Sequence, residues 1–178
     1  KRPFPKAQPP HSCNKGLWGK PTVLNNAETW ATVPKIIKNG ADWYASMGNE
    51  NAQGCKVWAI SGNIKYNGLM ELDMKTTFRE AIDDYCGGIQ KKKALKMIHV
   101  GGVTGGFLPP EKADTQTDYE SLLDAGVLMG QASFAAYDDS ACVIDLALFS
   151  IGFNEGETCG KCTPCRIEIG RASCRERV

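Results

Sequence analysis

Three cysteines near the end of this 178-residue sequence constrain its fold more than any other feature. Cys159, Cys162 and Cys165 are spaced C-x2-C-x2-C within a loop that also contains glycine and proline. This spacing lets three thiolates converge on one metal centre. Iron–sulfur clusters are held by cysteine thiolates, four of them for a 4Fe–4S cube. The sequence therefore predicts three cluster ligands in this loop and a fourth elsewhere.

Zinc is the alternative metal for this loop. Zinc sites use four cysteine or histidine ligands, often arranged as paired C-x2-C knuckles. The sequence contains no second pair, and His11 and His99 are far from the loop in sequence. An iron–sulfur cluster is therefore favoured. The other cysteines of the native fold are expected to be small or buried residues rather than ligands: Cys13, Cys55, Cys86 and Cys142.

The last residues, 168–178, differ in sequence pattern from the rest of the chain. They show no apolar periodicity, and they match the translation of a sequencing-library adapter. Segments of this kind are left out of fold reasoning, so Cys174 is not expected to be the fourth ligand. A genuine arginine-rich tail is the alternative, and it would make Cys174 a candidate ligand. The first residues include no methionine, and we expect the sequence to begin inside a longer protein.

Composition argues against several classes of function. The 21 basic and 20 acidic residues give a formal charge of +1, so no basic excess indicates a nucleic-acid partner. No apolar run approaches the roughly 20 residues of a membrane span. The clustered cysteines favour metal binding in a reducing compartment over a secreted disulfide scaffold. We expect no nucleic-acid partner and no direct membrane insertion.

The order of predicted elements indicates an α+β fold. The proline-rich residues 1–22 are expected to be extended, and a helix follows that Pro34 breaks or kinks and Asn39-Gly40 ends. Capping boxes at 77–80 and 117–120 predict two further helices, the second over 121–126. Residues 141–153 are apolar almost all round, which predicts a buried helix leading to the cysteine loop. Strands are predicted at 56–62, 68–74 and 94–100, which with the helix at 77–85 form a β-grasp-like unit, and one further strand is predicted at 133–137.

The glycine-rich loop 101–106 could be taken for a phosphate-binding loop. It lacks the Gly-Lys-Ser/Thr ending of such loops, so a structural turn is the better prediction. His99 is predicted to be a strand residue rather than a catalytic base.

Four motifs, in this order, resemble those of one family. Residues 21–29 (PTVLNNAET) resemble PTxxNNVET, and residues 56–63 (KVWAISGN) resemble KVFxxSGxV. Residues 101–109 (GGVTGGFLP) resemble GGxSGGCxP, and residues 157–166 (ETCGKCTPCR) resemble ESCGKCTPCR. Over residues 1 to about 167, the chain resembles the NADH-binding flavoprotein subunit of respiratory complex I and related subunits of NAD-linked hydrogenases and formate dehydrogenases. Thr158 and Phe107 depart from the usual Ser and Cys.

This resemblance implies a domain organisation. Residues 1–54 would be the C-terminal remnant of the domain that binds FMN and NADH. Residues 55–110 would be a ubiquitin-like SLBB (soluble-ligand-binding β-grasp) domain. Residues 111–167 would be a connector and the start of the helical 4Fe–4S domain, and residues 168–178 the adapter artefact. The family motifs GRGGAGFPTG and GEE do not occur here, so the main FMN and NADH site is expected to lie outside this sequence.

The resemblance also implies site residues. Asn25, Asn26 and Thr29 match positions that contact FMN in the family, although chemistry alone favours the asparagine pair as a helix cap. Cys159, Cys162 and Cys165 match three ligands of the 4Fe–4S cluster, whose fourth ligand lies well downstream in the family.

The implied function is electron transfer. Electrons from NADH would pass through FMN to the 4Fe–4S cluster, then to further clusters and an acceptor, which is quinone in complex I. The implied partners are other subunits of an NADH dehydrogenase or hydrogenase complex, above all a small 2Fe–2S thioredoxin-like subunit. The implied location is cytoplasmic, peripheral on the inner face of the membrane. The alternative function is a β-grasp binding module with a structural zinc site. The fragment alone is expected not to oxidise NADH.

Overall fold

A five-stranded mixed sheet forms the centre of the protein in the computed structural model, which describes residues 6–163 and Ile167. The sheet order is β2-β1-β5-β3-β4. Strand β1 pairs antiparallel with β2 and parallel with β5, and β3 pairs antiparallel with both β5 and β4. This arrangement confirms the predicted β-grasp-like α+β fold. The strands are β1 (Cys55–Gly62), β2 (Gly68–Asp73), β3 (Leu95–Val100), β4 (Gly106–Leu108) and β5 (Ser133–Asp138).

Strand β5 completes the sheet from a distant part of the sequence. It lies beyond residue 110, the expected end of the β-grasp domain, and it occupies the central position between β1 and β3. A parallel pair such as β1 and β5 needs a long crossover connection, because a tight turn can join only antiparallel strands. The sheet therefore recruits residues from the segment that was expected to be a connector.

The core lies on one face of the sheet, and every second residue of the central strands points into it. Phe134 and Ala136 of β5 and Trp58 and Ile60 of β1 are buried at alternate positions. Three aromatic rings meet in this core, with Trp58–Phe78 and Phe78–Phe134 centroid distances of 5.7 and 5.1 Å and edge-to-face geometry. Edge-to-face packing suits the charge distribution of aromatic rings and adds stability beyond their buried area.

The helices are short, apart from α2 and α6. They are α1 (Ser12–Lys15), α2 (Ala27–Asn39), α3 (Ala41–Ala45), α4 (Phe78–Glu80), α5 (Tyr119–Asp124) and α6 (Val143–Glu157). Helix α4 continues into a π-helical turn at Ala81–Tyr85. Helix α2 runs through Pro34 without a break and ends before Gly40, which has a φ of 94°. No helix within the described part of the chain is long and apolar enough to cross a membrane.

The two predicted capping boxes have different outcomes. The first is confirmed, since Glu80 N–H donates to Thr77 Oγ1 and Thr77 N–H donates to Glu80 Oε2. The second is wrong, because Asp118 rather than Thr117 caps α5. The Asp118 carboxylate accepts from Ser121 N–H at 2.9 Å and from the Ser121 hydroxyl at 2.6 Å. A buried carboxylate with two local donors is a stronger cap than a neighbouring hydroxyl.

The prediction that the apolar helix before the cysteine loop is buried is also wrong. Ser150 is the buried residue of α6, whereas four of its large apolar side chains are exposed. One side of α6 meets the sheet and the turn at Gly102–Thr104, and the other side faces solvent in this chain. The exposed side chains are Val143, Ile144, Phe149 and Phe153.

Candidate functional site

The cysteine loop begins where α6 ends. Thr158 closes the helix by donating its N–H to Asn154 O at 3.0 Å. Gly160 then adopts a φ of 69°, a left-handed conformation that glycine takes without strain. Cys159 and Cys162 on either side of this turn are both exposed free thiols. Cys165 and the expected adapter residues 168–178 lie outside the described residues.

The chemistry of these thiols fits an iron–sulfur cluster. The two described cysteines are solvent-accessible and belong to one tight loop, so a cluster can reach both. Thiolate sulfur is the ligand that such clusters require. Within residues 6–163 and Ile167, no three His, Cys, Asp or Glu side chains are grouped as a metal site. The third cysteine of the motif lies beyond that range.

The three residues predicted to contact FMN lie together at the start of α2. Asn26 is the N-cap, and its side-chain oxygen accepts from Glu28 N–H at 2.9 Å. Its amide N–H2 group remains a donor, because an asparagine amide has both a donor and an acceptor end. Asn25 and Thr29 are exposed on either side of it. The cap interpretation is therefore correct for Asn26, and it leaves donors available to a ligand.

The donor chemistry at this helix start also fits part of a flavin mononucleotide. Flavin rings and ribityl chains carry polar edges that amide side chains can read. The first N–H groups of a helix lack partners inside the helix and favour anionic oxygen. Thr29 additionally lines a cavity of about 350 Å³ between α2, α3 and the sheet. Asn25, Asn26 and Thr29 therefore offer donors and acceptors that a polar ligand could contact at this helix start.

Glu28 is a functional candidate that the sequence motifs did not single out. Its carboxylate bonds with Lys56 Nζ and accepts from Val57 N–H at 2.8 Å, so it ties the first turn of α2 to strand β1. Burial opposes ionisation of this carboxyl, but the Lys56 and Val57 hydrogen bonds outweigh it and lower its pKa. The motif PTxxNNVET includes this glutamate, but it indicates a functional role only weakly. An acidic residue in the first helical turn is commonly explained by its interaction with the helix dipole.

The position of Val57 explains why a carboxylate binds there. Ala59 N–H donates to Ala132 O at 3.0 Å, just before β5 begins, and the β1–β5 pairing starts at Ala59 and Ser133. Val57 lies two residues earlier on the same edge of β1, where β5 does not reach. Its N–H would be an unpaired edge donor. Glu28 Oε1 takes the place of the missing strand carbonyl.

The glycine-rich loop after β3 is a structural turn, as predicted. Gly101 and Gly102 have φ values of 81° and 72°. A Cβ atom at Gly105 would lie 1.7 Å from Val100 O, so only glycine fits there. The loop also contacts α6, because Asn154 Nδ2 donates to Val103 O at 3.1 Å.

His99 lies in β3, which confirms its prediction as a strand residue. Its ring stacks on Phe107 with a centroid distance of 4.3 Å. Burial lowers its pKa, and a hydrogen bond with the Gly102 backbone opposes that shift. Packing therefore accounts for this histidine.

Comparison with known proteins agrees with the motifs. The chain is 43% identical to the NADP-reducing hydrogenase subunit HndC of Solidesulfovibrio fructosivorans, over 94% of the chain and 34% of that protein. It is 38% identical to an NADH-quinone oxidoreductase subunit of Rhizobium meliloti, over 93% of the chain and 39% of that protein.

The chain is a homologue of these oxidoreductase subunits. It spans a little over a third of their length. No protein-family model matches the sequence. The structure of this chain also resembles the crystal structure of an NAD+-reducing [NiFe]-hydrogenase in the air-oxidized state. The TM-score is 0.73 at 27% identity, over 93% of this chain and 28% of the hydrogenase chain. The resemblance to these subunits that the sequence motifs indicated is thereby confirmed.

Proposed function

We propose that this chain is the segment of an NADH-linked flavoprotein subunit that holds part of FMN and three ligands of a 4Fe–4S cluster. One observation carries the proposal. In a homologue of hydrogenase and NADH-quinone oxidoreductase subunits, two exposed cysteines of a C-x2-C-x2-C motif follow directly from a helix end.

The residues of the chain bind and orient these groups. Asn25, the free amide of Asn26 and the Thr29 hydroxyl are donors and acceptors for the polar edge of FMN. The thiolates of Cys159, Cys162 and Cys165 are cluster ligands. When bound, the two cofactors supply the conversion of a two-electron donor, NADH, into single-electron transfer.

The acceptor, partners and location follow from the same proposal. Electrons would leave toward further clusters and a terminal acceptor, which would be quinone in a complex I assembly. A 2Fe–2S subunit with a thioredoxin-like fold would be the neighbouring subunit. The assembly would be cytoplasmic and peripheral to the membrane.

Iron–sulfur reconstitution of the complete polypeptide that carries this sequence tests the cluster. We expect about four irons and four sulfides per chain, with a brown colour and an EPR signal after reduction. Cys159→Ser and Cys162→Ser should each reduce the iron content strongly. Cys13→Ser is the matched control, because Cys13 is also an exposed free thiol but lies in α1, and it should retain the iron. A colourless protein holding one zinc would instead support the binding-module alternative.

NADH oxidation tests whether this segment needs the rest of the subunit for activity. The purified 178-residue chain should not reduce an artificial acceptor with NADH, whereas the complete polypeptide loaded with FMN should. The reason is that the main nucleotide-binding motifs lie outside this sequence. Turnover by the 178-residue chain alone would contradict the proposal.

A further inference from the structure

We infer that one end of the sheet holds both proposed cofactor-binding segments in position. Glu28 is the positioning residue for the FMN segment, and Asn154 is the positioning residue for the cysteine loop. The inference rests on the proposed function for the cofactors themselves. Two polar contacts are decisive, one that joins α2 to β1 and one that joins α6 to the turn after β3.

The first contact is that of Glu28. This carboxylate lies two residues after the cap Asn26 and one residue before Thr29, so fixing it also fixes the turn that carries the proposed FMN contacts. Glu28 binds two groups of β1, the Lys56 ammonium and the Val57 N–H. Charge-assisted hydrogen bonds to an ionised carboxylate are among the stronger polar contacts in proteins. None of the residues of α2 is buried, so apolar packing does little to fix the orientation of this helix.

The second contact is that of Asn154. Its side-chain amide donates to Val103 O in the turn after β3 and to Ser150 O within α6. Its backbone carbonyl accepts from Thr158 N–H, the residue before Cys159. Asn154 therefore joins the last turn of α6, and with it the start of the cysteine loop, to the glycine-rich turn.

Both contacts lie at the same end of the sheet, on either side of the start of β5. Ala132 O accepts from Ala59 N–H of β1, and Ser133 O accepts from Gly101 N–H after β3. Val57 and Val103 each lie two residues from these positions. Adjacent strands are about 4.8 Å apart, so β1 and β3 are about 10 Å apart across β5. A hydrogen-bonded sheet is a stiff spacer for two groups that must stay at a fixed separation.

The test uses the complete polypeptide, with FMN affinity and the cluster EPR spectrum as separate readouts. Glu28→Ala should raise the FMN dissociation constant by about tenfold and leave the EPR spectrum unchanged. Glu28→Gln keeps an oxygen acceptor for Val57 N–H, so it should restore most of the affinity. Asn154→Leu should shift the EPR g-values or the midpoint potential of the cluster and leave FMN affinity unchanged. Glu50→Ala is the matched control, because Glu50 is an exposed carboxylate in the loop before β1.

The outcomes separate this inference from the proposed function. A wild-type polypeptide that binds neither FMN nor a cluster would contradict the proposed function. A wild-type polypeptide that binds both, with Glu28→Ala and Asn154→Leu changing only the melting temperature, would show that the contacts are merely structural and overturn the inference. Should Glu28→Ala fail to fold, Lys56→Met provides a milder variant. It removes one of the two Glu28 partners and should weaken FMN binding by less than Glu28→Ala.

Discussion

The sheet and the segments that flank it are held by different forces. In the sheet unit, Trp58, Phe78 and Phe134 are essentially inaccessible to solvent. In the preceding segment, helices α1, α2 and α3 contain no buried residue, and Trp18 is 87% exposed. Apolar burial stabilises in proportion to the area removed from water, so it acts mainly on the sheet. The flanking segments depend on a few directional polar contacts.

Helix α6 extends this contrast to the other end of the chain. It is apolar around most of its circumference, yet Ile144 and Phe149 are about two-thirds exposed. Several large exposed apolar side chains on one helix are typical of a surface that other protein covers. The sheet therefore has a core of its own, whereas the segments on both sides of it leave large apolar side chains exposed.

The largest expected effect tests whether the sheet unit is self-sufficient. Phe78→Ala should lower the free energy of unfolding of the chain by about 3–5 kcal/mol, because it leaves a cavity between Trp58 and Phe134. Urea titration followed by tryptophan fluorescence measures this loss. A loss below about 1 kcal/mol would mean that the core is not the main source of stability.

A smaller effect is expected at the buried cap of α5. Asp118→Ala should cost about 1–3 kcal/mol, because it removes the acceptor of the Ser121 N–H and hydroxyl and one of the two acceptors of the Asn49 amide. Equilibrium urea unfolding at pH 7 measures this difference. Asp118→Asn is the matched control, since it retains one acceptor oxygen at the same position.

The Asp118 effect should also depend on pH. Burial opposes ionisation of this carboxyl, but hydrogen bonds from Ser121 and Asn49 outweigh it and lower its pKa. The unfolded carboxyl has a pKa of about 3.9 and therefore takes up a proton first as the pH falls. Its contribution should be complete above that value and be lost as the pH falls through the folded-state pKa. A difference between wild type and Asp118→Ala that stayed constant from pH 7 to pH 2 would contradict this.

A still smaller effect is expected at the capping box of α4. Thr77→Ala removes the acceptor for Glu80 N–H and should cost about 1 kcal/mol. Thermal unfolding measures this loss. Thr77→Ser keeps the hydroxyl and should unfold close to the wild-type temperature. Equal losses for both variants would point to the methyl group rather than the cap.

The smallest effect sharpens the contrast with the flanking segment. Ile37 of α2 is 79% exposed, so Ile37→Ser should change the unfolding free energy of this chain by less than about 0.5 kcal/mol. We expect the rest of the complete polypeptide to cover Ile37, so the same substitution should cost more there. Identical small effects in both proteins would mean that Ile37 stays exposed.

Local features of the fold could be predicted from the sequence, and features that depend on distant residues could not. Strands β1, β2, β3 and β5, the Thr77 capping box and the end of α2 at Gly40 depend on periodicity and on residues within one turn, whereas the short strand β4 was not predicted. Asp118, the cap of α5, also accepts from Asn49 Nδ2 at 3.1 Å, a contact with a residue far away in sequence that no local pattern contains. The exposure of α6 could not be predicted from the sequence. A largely apolar helix indicates that protein packs around it, but not whether this chain or another one does so.

The candidate site shows the same division. The cysteine spacing and the Asn25-Asn26 pair could be identified from motifs. Glu28 and Asn154 could not, because their roles depend on an edge of β1 that β5 leaves open and on a turn after β3. Both are tertiary contacts between residues that are distant in sequence. A glutamate in a first helical turn carries no sign of them.

The central position of β5 also sets an order of events in biosynthesis. Strands β1 and β3 can each pair with an outer neighbour early, but the two hairpins cannot join until Ser133–Asp138 has been made. Pairing of residues so far apart in sequence makes loop closure a slow step in folding. The cysteine loop follows β5 in the sequence, so the ribosome delivers it only after the strand that closes the sheet. Cluster insertion would then act on a chain whose scaffold is able to assemble.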